Sequence, residues 1–121
     1  MAQNFRRYAE KNIGTTPVDI PDAANFDSFD TIVGINLANR SALAIKASVF
    51  IIVNVGVGGV DTSEQYRHYY IKDAPIPTGG TLQVLDGGAK FVVQALDRLY
   101  VVSDTASSLD VWVSAVDAIS T

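Results

Sequence analysis

The chain contains no cysteine. Disulfides and thiolate metal sites are therefore excluded, and a reducing compartment fits this composition without being set by it. It has a single histidine, His68. Any site needing two histidines is ruled out, and a serine triad would have to be built on this one residue. Positive charge is scarce and scattered: 9 Lys and Arg against 13 Asp and Glu. Nucleic acid is not expected as a partner, because a phosphate binder concentrates basic residues. Long apolar runs are missing too. The longest, Ala47 to Val53, is broken by Ser48 and is too short to span a bilayer, so no membrane partner is expected. The start, Met1 to Arg7, lacks the apolar centre of a secretory signal, and no hydrophobic region follows the Arg6-Arg7 pair. No segment keeps a helical period over several turns.

What is present is period-two alternation in short runs. In Thr31–Ala38, Val33, Ile35 and Leu37 share a face, with Ile32 as an exception. In the run from Ile45 to Asn54, Ile45, Ala47, Val49, Ile51 and Val53 face one way. Phe50 and Ile52 face the other, so the far half of this strand is expected to be covered on both sides. Further strands are expected at Phe5–Asn12, Pro17–Ile20, Tyr66–Ile71, Thr81–Leu85, Lys90–Gln94, Arg98–Ser103 and Leu109–Ala115.

Turn chemistry separates these runs. Asp86-Gly87-Gly88 predicts a hairpin turn, and Gly56-Val57-Gly58-Gly59 predicts a hairpin tip. Pro75 to Gly80 predicts a turn that cannot belong to a central strand, since proline has no ladder donor. Asn39-Arg40-Ser41 and Ser103–Ser108 are connections, and Asp22–Asp27 suits one short helical turn. A length of 121 residues suits one domain over 1–121, able to bury roughly two thirds of its unfolded surface. Eight or nine short strands predict an all-β, antiparallel β-sandwich, with a barrel as the alternative closure.

Candidate chemistry is thin. There is no Gly-x-Ser-x-Gly elbow. Asp27 and Asp30 are near neighbours, as glycosidase carboxylates are in space, but they read as loop solvation before a strand. No calcium loop of alternating oxygen ligands occurs. The glycine-rich 56–59 segment lacks the lysine and the helix of a phosphate cradle. His68 sits between tyrosines and reads as cross-strand packing. Asn39-Arg40-Ser41 matches a glycosylation pattern by chance. No catalytic residue, metal or cofactor is expected, and the chain is not expected to be an enzyme. The features that point to function are aromatic. Tyr69, Tyr100 and Trp112 lie opposite the more apolar face of their strands, where they would either anchor a protein interface or be partly covered within the monomer. Phe5, Arg6 and Arg7 would join them from an N-terminal contact arm over 1–8.

Four segments in order also resemble a known family. They are Asn4-Phe5-Arg6-Arg7-Tyr8 with Lys11–Thr16, Asp30–Asn39, Tyr69–Gly79 and Ser107–Ser114. Together they resemble small virion structural proteins of tailed bacteriophages, especially contractile-tailed phages of marine cyanobacteria. The resemblance implies a component of the virion, assembled in the bacterial host cytoplasm and decorating the capsid or forming part of the neck, tail or baseplate. Its partners would be other virion proteins and copies of itself, with a trimer as the usual closed solution. A receptor- or carbohydrate-binding module of a fibre or adhesin is the alternative.

Overall fold

The computed structural model describes residues 3–20, 30–53, 63–85, 91–93 and 97–118. Its strands are β1 (Gln3–Ile13), β2 (Val18–Ile20), β3 (Asp30–Asn39), β4 (Ile45–Ile52), β5 (His68–Ile76), β6 (Thr81–Leu85), β7 (Phe91–Val93), β8 (Arg98–Ser103) and β9 (Leu109–Ala118). One turn of 3-10 helix, Glu64–Tyr66, precedes β5. The expected short helical turn at 22–27, the glycine-rich tip at 56–59 and the Asp86-Gly87-Gly88 turn lie outside the described residues.

All pairing is antiparallel. The first sheet runs β1-β9-β3, with β6 and β7 both on the remaining edge of β3. The second runs β2-β8-β4-β5. The sheets pack face to face and close no barrel. If β6 and β7 are taken as one interrupted strand, the first sheet holds the first, eighth, third and sixth strands. The second holds the second, seventh, fourth and fifth. Only β4 and β5 are sequence neighbours within a sheet; every other connection crosses between sheets. This is the jelly-roll arrangement of two interlocked Greek keys.

One sequence expectation is corrected here. β6 and β7 do not form a hairpin with each other. β6 lies against Ile35–Ala38 and β7 against Asp30–Ile32, so the chain continues in one direction along β3. Both runs find their ladder partner in the same free edge.

The core forms because alternate residues of both sheets point inward. Ile32, Ile35 and Leu37 of β3, Ile45, Ala47 and Val49 of β4, Leu99 and Val101 of β8, and Leu109, Val111 and Val113 of β9 make one cluster. Each of its Val, Leu and Ile side chains contributes roughly 1.5–3 kcal/mol on burial. Ile32 is no exception in space. Opposite β9, Ile32 pairs with Ala115 and Gly34 with Ser114, so Val33 is an inserted bulge residue. The bulge resets the alternation and puts Ile32 and Ile35 on the same side.

The same device blunts the sheet edges. On β1, Lys11 and Asn12 together oppose Asp110, and Asn12 adopts φ 59°. On β5, Lys72 and Asp73 oppose Ser48, and Asp73 has φ 53°. β5 also includes Pro75, opposite Lys46. The strand thus runs further than the proline suggests, because on an edge no neighbour requires the missing N–H. Residues 3–8, expected as a contact arm, are the start of β1, paired with Val113–Ala118 of β9.

Candidate functional site

Among the described residues no three His, Cys, Asp or Glu side chains gather into a metal site. His68 opens the edge strand β5, opposite Ile51, and is exposed. The side chains of Asp27 and Asp30 lie outside the described residues. Three surfaces remain: the outer face of each sheet, and the end of the sandwich where the described loops meet.

The outer face of the second sheet is filled from within the chain. Phe50 and Tyr100 stack with centroids 5.3 Å apart, and Tyr69 meets Phe50 edge-on at 5.7 Å. The Arg67 guanidinium lies 4.3 Å over the Phe50 ring. It donates to the Tyr69 hydroxyl at 3.0 Å, and that hydroxyl donates to Glu64 Oε2 at 2.6 Å. Lys72 Nζ donates to Glu64 Oε1 at 3.0 Å. The Tyr69 hydroxyl, followed by Lys72, holds the Glu64 carboxyl below its ordinary value. The 3-10 turn is therefore tied down onto the sheet by charge-assisted bonds. Tyr100 is 5% exposed, and burial pushes its phenol up. Tyr100 is thus a packing residue, not an exposed anchor. Tyr69 is half-buried and committed to the same network. Beside them Arg98 Nη1 bonds Asp19 Oδ2 at 3.0 Å across β8 and β2.

The outer face of the first sheet is different. Trp112 is 50% exposed. Its cross-strand neighbours are small or polar, Ala9 on β1 and Asn36 on β3. The Arg7 guanidinium lies 5.4 Å over the indole. Arg7 and Trp112, expected as contact residues, are brought together. Phe5 and Arg6 have their backbones opposite Val116 and Ala115, and their side chains lie outside the described residues. An open depression of about 300 Å³ borders Trp112 between β1, β9 and β3. Ala9, Lys11, Asn36, Ala38 and Asp110 line it with Trp112. Asp110 is fixed at one end: its Oδ1 accepts from the Asn12 N–H and from Arg40 Nη1, both at 3.1 Å.

The end of the sandwich is locked by hydrogen bonds. Asn39 is 4% exposed. Its two Nδ2–H groups serve three carbonyls, that of Leu43 at 2.7 Å and those of Ile76 and Pro77, 3.1 Å away each, which share one hydrogen. Its Oδ1 accepts from the Ser41 N–H and Oγ at 2.8 Å. An amide so occupied is no glycosylation acceptor. Gly79, at φ 68°, completes the turn in which Gly80 N–H donates to the Pro77 carbonyl at 2.9 Å. The connection after β8 is tied in as well. Ser103 and Ser108 hydroxyls meet at 2.6 Å, and Ser103 and Ser108 N–H groups donate to Gly14 and Ile13 carbonyls. A Cβ on Gly14 would come within 3.2 Å of Ala106 Cα, so glycine allows this close approach. Lys46 N–H donates to Asp104 Oδ1 at 3.0 Å, and that bond first of all lowers the Asp104 carboxyl. On this rigid base stands Leu43, 66% exposed. Sequence reasoning passed over Leu43 and read Asn39 only as part of a connection and a chance glycosylation match. The available signal was a leucine two residues after the polar Asn39-Arg40-Ser41 connection.

No family model and no curated protein matches the chain. Among solved structures, it is similar to VP2 of an infectious bursal disease virus subviral particle, with a TM-score of 0.52 and 12% identity over 94% of this chain. A structure of the infectious bursal disease virus Gx strain gives 0.50 and 12% over the same share. The chain spans 32% of the length of each. At this identity the likeness shows a shared fold.

Proposed function

We propose that this protein is a non-enzymatic structural component of a tailed-phage virion, present in many copies on the capsid surface or in the neck, tail or baseplate. The observation that carries this reading is the locked end of the sandwich. Loops held by buried hydrogen bonds lose little freedom on binding, so an exposed apolar side chain on them is a preorganised anchor. Leu43 is that anchor. The blunted edges support the reading in a second way, because they disfavour open-ended strand addition and leave assembly to defined surfaces. A jelly roll shared with a subviral-particle protein and the resemblance to small phage virion proteins point the same way.

The mechanism is passive. Each copy contributes a modest contact, and attachment to a symmetric lattice multiplies it. Closed association, with a trimer as the simplest case, would satisfy self-contacts without fibres. Assembly takes place in the host cytoplasm, and the final location is the particle. The test is particle incorporation of Leu43→Asp, measured by quantitative mass spectrometry of purified virions. The substitution is on an exposed side chain and is expected to leave the melting temperature unchanged while incorporation falls at least about tenfold. Equal incorporation would refute the anchor. A receptor- or carbohydrate-binding role has one specific feature in its favour, the depression beside Trp112.

A further inference from the structure

We infer that the depression on the outer face of the first sheet is a saccharide-binding site, with Trp112 as its stacking platform. The inference is independent of the virion reading. A pyranose ring has an apolar C–H face and a rim of hydroxyls. A site for it needs an aromatic plane, room beside that plane, and fixed polar groups around it. The first sheet supplies all three. Trp112 is 50% exposed on a β-strand, and Arg7 braces its ring from 5.4 Å. Ala9 and Ala38 on the flanking strands leave the space, about 300 Å³, at the small end of the range for ligand sites. Asn36 offers an amide directly opposite Trp112, and Lys11 an ammonium from the β1 bulge. Asp110 is held in place by Arg40 and the Asn12 N–H, which leaves Oδ2 as an oriented acceptor. The bulge at Lys11 and Asn12 is what brings β1 polar groups to this rim. The polar rim favours a sugar over the apolar side chain of a protein partner.

Trp112 is the sole tryptophan of the chain, so its emission reports this site alone. The experiment is fluorescence titration of the full chain with trisaccharides of glucose, galactose and N-acetylglucosamine, with calorimetry on any that respond. At least one is expected to shift the emission saturably, with millimolar affinity. Asn36→Ala should weaken that binding about tenfold, and Trp112→Ala should abolish the calorimetric signal. Ala9→Gln, which fills the space and keeps the indole, should also block binding; circular dichroism confirms that each variant is folded. No response from any trisaccharide at up to about 20 mM would overturn the proposal. So would an emission shift that follows protein concentration instead of sugar, because it would assign the face to a second copy of the chain.

Discussion

Replacing Asn39 with alanine tests how the rigid end is held. The side chain shares its two amide hydrogens among three carbonyls and accepts from the Ser41 N–H and hydroxyl. Alanine removes all of these bonds together. The Ser41 and Leu43 groups are near solvent and recover water, so their loss costs little. The Ile76 carbonyl is buried, so water does not replace the bond it loses. A hydrogen bond is worth about 1 kcal/mol net, and a buried group that loses a bond costs about 1–3 kcal/mol. The sum expected for Asn39→Ala is about 2–4 kcal/mol. A domain of this size has about 5–15 kcal/mol in total, so the melting temperature should fall by roughly 10 °C. The assay is urea and thermal denaturation followed by far-ultraviolet circular dichroism and Trp112 emission. Asn39→Asp keeps the acceptors and loses the donors, and should be at least as destabilised. Leu43→Ala, at an exposed position, should stay within about 0.5 kcal/mol of the parent. A loss below about 0.5 kcal/mol for Asn39→Ala would refute the account of this loop.

Other outcomes follow from the same structure. Phe50→Ala empties a fully buried site between Tyr100 and Arg67 and should cost about 3–5 kcal/mol in denaturant melts, against less than about 1 kcal/mol for the half-exposed Trp112→Ala. The Asp104 carboxyl is lowered in the fold, so its contribution is present above the unfolded aspartate value of about 3.9. It is lost as pH falls below that value through the folded one, and Asp104→Asn should flatten the acid limb of a stability–pH curve. Deleting residues 1–8 strips partners from β9 between Val113 and Ala118. Lower melting temperature and aggregation seen by light scattering are expected, because β9 becomes a new edge; unchanged melting would show that this ladder contributes nothing.

The strands were legible because period-two patterning and turn residues agree. Thr81–Leu85 and Arg98–Ser103 match the expected runs end to end. The double covering of β4 was legible as well, since Phe50 and Ile52 sit opposite Val49 and Ile51. The pairing order was not, because a jelly roll joins strands distant in sequence, and alternation says nothing about which edge a strand meets. Bulges were hidden for a related reason. One inserted residue at Val33 makes Ile32 look out of phase in one dimension, while in space it restores the phase.

The sequence offers Arg7 and Trp112 as separate interface candidates; that they meet on one face follows from the β1–β9 pairing, which alternation alone does not show. Whether Tyr100 is exposed or covered was open, because its strand alone cannot reveal Phe50 stacked on it from the next strand. Leu43 was passed over because its exposure depends on the Asn39 bonds to Ile76 and Pro77, which bring together residues far apart in sequence.

The central claim, that this jelly roll is a repeated part of a virus particle, is tested most directly by cryo-electron microscopy of the intact particle. The account predicts symmetric, repeated copies of this fold on the shell, neck, tail or baseplate, with the Leu43 end seated against a neighbour. Purified particles that lack the chain would contradict it.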